Sequence, residues 1–210
     1  QAEELVSTIA KQTDSFLQIV NYNVRGRQYS VTGDRTALQA LEQALDAQSV
    51  SAKKAYIEVP GIDVPFHSTL LSSGVPAFRA ALHAALPKTI NPEQLLGRYI
   101  PNLTATPFQL SRDYAREILA VVDSAPVQAA LDNWDAAMRS PETLARTLLI
   151  ELLAWQFASP VRWIETQDML FTAAKKGGLG IQQLVEVGAA TQPTLTNMAG
   201  YTLSLSKHPN

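Results

Sequence analysis

A run rich in β-branched and aromatic side chains, Phe16 to Val24, leads into Arg25-Gly26, a second extended run from Gln28 to Thr32, and then Gly33-Asp34. That succession fixes the first part of the chain. Two such runs joined by a glycine-containing turn specify an antiparallel hairpin. Before it, Leu5, Val6, Ile9 and Ala10 recur at helical spacing; after it, Ala37, Leu38, Leu41, Ala44 and Leu45 give a second helix one apolar face, with Asp34 as the expected N-cap. A further strand is expected over Ala55 to Val59.

Two helices against antiparallel strands in this order resemble a ferredoxin-like subdomain short of its first strand, here residues 1–60. From Pro60 the pattern becomes that of a larger α/β unit, residues 61–210, so the expected fold class is α/β in two parts. Val75, Phe78, Leu82, Ala85 and Leu86 predict the buried stripe of a helix. Tyr99 to Thr104 reads as a short edge strand carrying Pro101. Thr106 to Met138 has helical signals around Tyr114 to Glu117 and Val127 to Trp134 and reads as a connecting excursion. Ser140-Pro141 predicts an N-cap and a helix through Leu144, Leu148, Leu152 and Trp155. Ser159-Pro160 repeats that start signal before Val161, Ile164, Leu170 and Phe171. Gly177-Gly178-Leu179-Gly180 is a chain break, followed by an expected strand Leu184 to Val187 and a last helix Pro193 to Leu203.

Hydrophobic residues make up 46% of 210, enough for a core. With Lys+Arg 17 against Asp+Glu 19, the formal charge of -2 gives no electrostatic footprint for nucleic acid or an anionic membrane. No cysteine occurs, which removes disulfides and thiolate metal sites and agrees with a reducing, cytoplasmic setting. Gln1 followed by Glu3 and Glu4 offers neither an initiator methionine nor a signal-peptide pattern, so the start is expected to be cut from something longer. No apolar stretch reaches the length of a membrane span.

His67, in the run Val64-Pro65-Phe66-His67-Ser68 between strand and helix signals, is the chemically suggestive residue. A general base needs a nucleophile, yet the 210 residues contain no Gly-x-Ser-x-Gly elbow and no thiol. If His67 is a base, its nucleophile lies elsewhere. His83 falls beside an apolar stripe and His208 in the tail, with no paired spacing for a metal. Lys175 to Gly180 lacks phosphate-loop spacing, Asn102-Leu103-Thr104 matches a glycosylation pattern by chance, and Trp134, Trp155 and Trp163 are packing residues.

The runs IVNYNVRGRQYSVTG (Ile19 to Gly33), VPFHSTLLSSGVPAFRAAL (Val64 to Leu82), YIPNLTATPF (Tyr99 to Phe108), QFASPVRWIETQDML (Gln156 to Leu170) and LVEVGAATQPTLTNMA (Leu184 to Ala199) resemble the malonyl/palmitoyl transferase domain of type I fatty acid synthases. The last two are echoed more loosely across malonyl-CoA:acyl-carrier-protein transacylases and polyketide synthase acyltransferases; for the latter, YIPNLTATPF is the wrong signature. Fungal synthases of this type divide the polypeptide within the domain. Because the sequence runs straight from Asp132-Asn133-Trp134 to Gln156, the single-chain bacterial form, as in actinobacteria, is expected.

The resemblance implies the C-terminal part of an α/β-hydrolase-like acyltransferase core, with ping-pong acyl transfer through an acyl-serine. His67 matches the family's base, whose Nε2 takes the serine proton and later protonates the leaving thiolate. Gln156 matches a glutamine whose backbone carbonyl holds the other ring nitrogen, as a triad carboxylate would. Asn23 matches a residue lining the substrate cleft, and strand alternation would put Asn21 and Asn23 on one face. The serine elbow and the malonate-binding arginine lie upstream in the family, so this segment alone is expected to be inactive. Coenzyme A and phosphopantetheine thioesters are the implied substrates, with no cofactor in this segment and no nucleic acid or membrane. The implied partners are the upstream part of the domain, acyl carrier protein and other synthase domains, in a parent that is a homo-oligomer. The alternative is a non-catalytic structural or docking segment of the multienzyme.

Overall fold

The computed structural model describes residues 1–48, 54–188 and 193–205. Helix α1 (Ala2–Thr13) buries Val6 and Ile9, carries Glu3 and Glu4 in its first turn and Lys11 in its last, and ends on Asp14 in the left-handed region. Strand β1 (Leu17–Val24) turns through Gly26, at φ 68°, into the antiparallel strand β2 (Gln28–Gly33). Gly33 is required where the hairpin meets α2 (Arg35–Gln48), since a Cβ there would lie 2.5 Å from the carbonyl oxygen of Phe16. At that junction the Asp34 carboxylate accepts from the Phe16 N–H at 2.8 Å. Val6, Ile9, Leu17, Ile19, Ala37 and Leu41 close the small core between both helices and the hairpin.

Pairing along β1 slips twice, between Ile19 and Asn21 and between Tyr22 and Val24. Val20 and Asn23 are thus extra residues at bulges. The alternation that would align Asn21 with Asn23 is interrupted at Asn23 itself. The strand expected over Ala55 to Val59 is also corrected: the described part, from residue 54, is irregular, and among the described residues the sheet has two strands. Ile57 and Val59 are 78% and 65% exposed, so their β-branched side chains meet no neighbouring ladder.

The larger part is helical. A 3₁₀ helix (Thr69–Gly74) follows the His67 turn and runs into α3 (Val75–Ala85), with Pro76 in its first turn. Of the expected buried stripe only Val75 is fully covered; Phe78 packs edge-on to Phe157 yet stays 38% exposed. Tyr99 to Thr104 forms turns rather than a strand. Helices α4 (Arg112–Val121) and α5 (Ala125–Asp132) are capped by Ser111 and Ser124, whose hydroxyls accept from the N–H groups of Tyr114 and Val127. The short α6 (Trp134–Ala137) follows. The stretch read as an excursion supplies the main core: Phe108, Tyr114, Ile118, Val127 and Trp134 pack on Leu144, Leu148 and Leu152 of α7 (Pro141–Gln156). Ser140 makes no side-chain cap; proline at the first turn and the Ser140 carbonyl, which accepts from Leu144, start α7 instead.

Ser159-Pro160 does not open a helix at once. Val161 first bridges in parallel to β1: its N–H donates to Val20 and its carbonyl accepts from Tyr22, at 2.8 and 2.9 Å. Helix α8 (Trp163–Phe171) starts after it, and α8 and α9 (Leu195–Leu203) both pack on β1. Buried Gln167 ties the three, donating to the Asn23 carbonyl at 2.7 Å and accepting from the Thr202 hydroxyl at 2.8 Å. Beyond α8 the chain reverses at Gly177, φ 88°, and Gly178, where a Cβ would lie 2.1 Å from the Thr172 carbonyl oxygen. Residues 184 to 187 are irregular, so the strand expected there does not form. His208 lies outside the described residues. No helix among the described residues is long and apolar enough to cross a membrane.

Candidate active site around His67

Helix α7 ends in carbonyls that no further turn can satisfy. Two of them receive the His67 residue. The Phe157 carbonyl accepts from the His67 backbone N–H at 2.8 Å, and the Gln156 carbonyl lies 2.8 Å from Nδ1. A carbonyl can only accept, so Nδ1 carries the proton and the neutral ring presents Nε2 as its lone-pair nitrogen. His67 is half-buried.

The turn bearing this ring is tightly determined. His67 adopts φ 64°, a conformation uncommon for a side chain without special need. Phe66 N–H closes on Val64 at 2.8 Å, and buried Ser68 donates its hydroxyl to the Pro65 carbonyl at 2.7 Å. From the hairpin, Gln18 Oε1 accepts from both the backbone N–H and the hydroxyl of Thr69, each at 3.0 Å.

His67 and Gln156 are therefore in direct contact, with the backbone of Gln156 rather than its side chain engaged. Asn23 has other partners. It is 8% exposed, its Nδ2 donates to the Ser30 hydroxyl at 3.4 Å, and its carbonyl serves Gln167. Gln18, Ser68 and the Phe157 carbonyl were absent from the sequence expectations. Ser68, following a histidine at a helix start, carried a local signal; Gln18 and Thr69, 51 residues apart, carried none.

A separate cleft of about 460 Å³ opens between the start of α1, the hairpin and α8, lined by Tyr22, Tyr29, Arg25, Arg162 and Glu165 among others. Burial, reinforced by Glu3, pushes the Tyr22 phenol up to about 12. None of His67, Gln156 and Asn23 lines it.

No family model matches the chain. It is 39% identical over 235 residues to "Fatty acid synthase 2" of Mycosarcoma maydis, an alignment taking in 96% of this chain and 6% of that protein. Against "Fatty acid synthase subunit beta" of Gibberella zeae it is 35% identical over 165 residues, 62% of this chain and 8% of that one. The Saccharomyces cerevisiae beta subunit gives 31% over 173 residues with the same coverages. The chain spans well under a tenth of the synthase relatives it matches. Among solved structures, FabD from Acinetobacter baumannii superposes with a TM-score of 0.57 at 21% identity, over 94% of this chain and 46% of that one. A fungal polypeptide thus matches almost the whole chain, so a match from end to end is not confined to a bacterial form. The chain shares the α/β fold of FabD over 46% of that chain and is related in sequence to a segment of fungal fatty acid synthases.

Proposed function

We propose that this chain is the histidine-bearing part of a malonyl/palmitoyl transferase in a fatty acid synthase, moving acyl groups between coenzyme A and the phosphopantetheine of acyl carrier protein. The observation that carries the reading is the 2.8 Å approach of His67 Nδ1 to the Gln156 carbonyl, which leaves Nε2 as a proton acceptor. In the proposed reaction a serine outside these 210 residues attacks the thioester carbonyl while Nε2 takes its proton. The tetrahedral adduct collapses, the C–S bond breaks, and Nε2–H protonates the leaving thiolate. The carrier-protein thiol then attacks the acyl-serine ester by the reverse steps. Throughout, the Gln156 carbonyl keeps a proton on Nδ1 while the Phe157 carbonyl holds the His67 backbone, and the partial negative charge at that helix end favours the transient imidazolium.

Within this reading residues 1–60 form the small subdomain and 61–210 the C-terminal part of the core. Asn23 borders the substrate, and the thioesters arrive as substrates with no resident cofactor. The parent is a cytoplasmic homo-oligomer in which this segment contacts the serine-bearing part, acyl carrier protein and neighbouring domains. Alone, the segment is inactive.

Exposed Ile57, Val59, Ile62, Val64, Phe66 and Leu70 run up to and past His67, and they favour a docked neighbour there. The test is to express the segment with the serine-bearing part and incubate with labelled malonyl-CoA. Covalent label on serine is expected. Its absence from a folded, associated pair would favour the purely structural reading.

A further inference from the structure

Most holds on the His67 turn come from within the turn or from the end of α7; one comes from the hairpin. Gln18 projects from β1 and places one carbonyl oxygen 3.0 Å from both the backbone N–H and the hydroxyl of Thr69. That N–H opens the 3₁₀ helix, where a first-turn donor has no partner inside the helix. Gln18 thus acts as an N-cap supplied from 51 residues away, two residues beyond the ring it steadies.

Resting on the transferase reading above, we propose that Gln18 is a positioning residue for His67. A histidine at φ 64° sits in a sparsely populated conformation that persists only where its surroundings over-determine it. The α7 carbonyls fix the ring's Nδ1 side and the backbone amide of His67. Gln18 fixes the C-terminal limb of the same turn and references it to the hairpin that holds Asn23. Base and hairpin are thereby tied together, and Nε2 keeps its place relative to β1. Loss of the clamp displaces the base without removing it.

The test uses the intact synthase polypeptide, comparing wild type with Gln18→Leu, Gln18→Glu and His67→Ala in single-turnover acyl loading. Gln18→Leu is expected to lower kcat about 10-fold, with KM for the acyl thioester and the thermal midpoint unchanged, as suits a small misplacement of a catalytic group. Gln18→Glu keeps an acceptor for both Thr69 donors and should restore the rate to within about twofold of wild type. Wild-type loading by Gln18→Leu, or a loss that Gln18→Glu does not recover, would overturn the proposal. Normal loading by His67→Ala would instead remove the reading on which it rests.

Discussion

His67 holds its left-handed backbone at a cost of about 1–2 kcal/mol for an L-residue, offset by bonds to the end of α7 and within the turn. Single residues also set local acid sensitivity. The Glu186 carboxylate accepts from the N–H groups of Thr194 and Thr196 and from the Thr196 hydroxyl, each at 3.0 Å, at the start of α9. These bonds, that of the Thr196 backbone foremost, hold its pKa down to about 2 against an ordinary 4.5. A folded-state value below the unfolded one means that the stabilisation is complete above about pH 4.5 and is lost as pH falls through about 2. The Thr196 amide resonance should therefore titrate with a midpoint near 2, and Glu186→Gln should abolish that step; a midpoint near 4.5 would contradict the capping role. His67 stood out in the sequence from its turn context, whereas its contact with Gln156 was expected only from the family resemblance of the runs that carry them. Gln18 did not stand out, since a glutamine in a strand announces no partner.

At the scale of elements, α3 is fastened to α7 by charge as well as by Val75. Arg79 donates through Nε and a terminal nitrogen to the two Glu151 oxygens, at 2.5 and 2.9 Å, and Ser124 donates to the same carboxylate at 2.8 Å. Glu151 is 1% exposed, and its hydrogen bond raises the guanidinium pKa of Arg79. Arg79→Ala should cost about 3–5 kcal/mol in urea unfolding, because a buried carboxylate loses its counter-charge. A loss below about 1 kcal/mol would show that Ser124 and solvent suffice. The helices of this chain were largely readable, since caps, prolines and spacing are local. The expected strands at 55–59, 99–104 and 184–187 were not formed, because a strand is completed by its neighbour and no ladder partner faces these segments among the described residues. The stretch from Thr106 to Met138 hid its role for the opposite reason: its amphipathic pattern is ordinary, and only packing onto α7 makes it the core.

For the whole molecule, the unusual feature is apolar surface beside the candidate base. Phe66 and Leu70 are 52% and 54% exposed on either side of His67, while the chain matches 46% of the FabD chain whose fold it shares. If the serine-bearing part seats there, its addition should slow amide deuterium exchange across 57–70, whereas unchanged exchange in an associated pair would place that contact elsewhere. The most direct measurement is the rate of acyl-serine formation in the intact synthase carrying His67→Ala. A fall of about two to four orders of magnitude, at unchanged thermal midpoint, is predicted from loss of a general base; loading within about twofold of wild type would contradict the account.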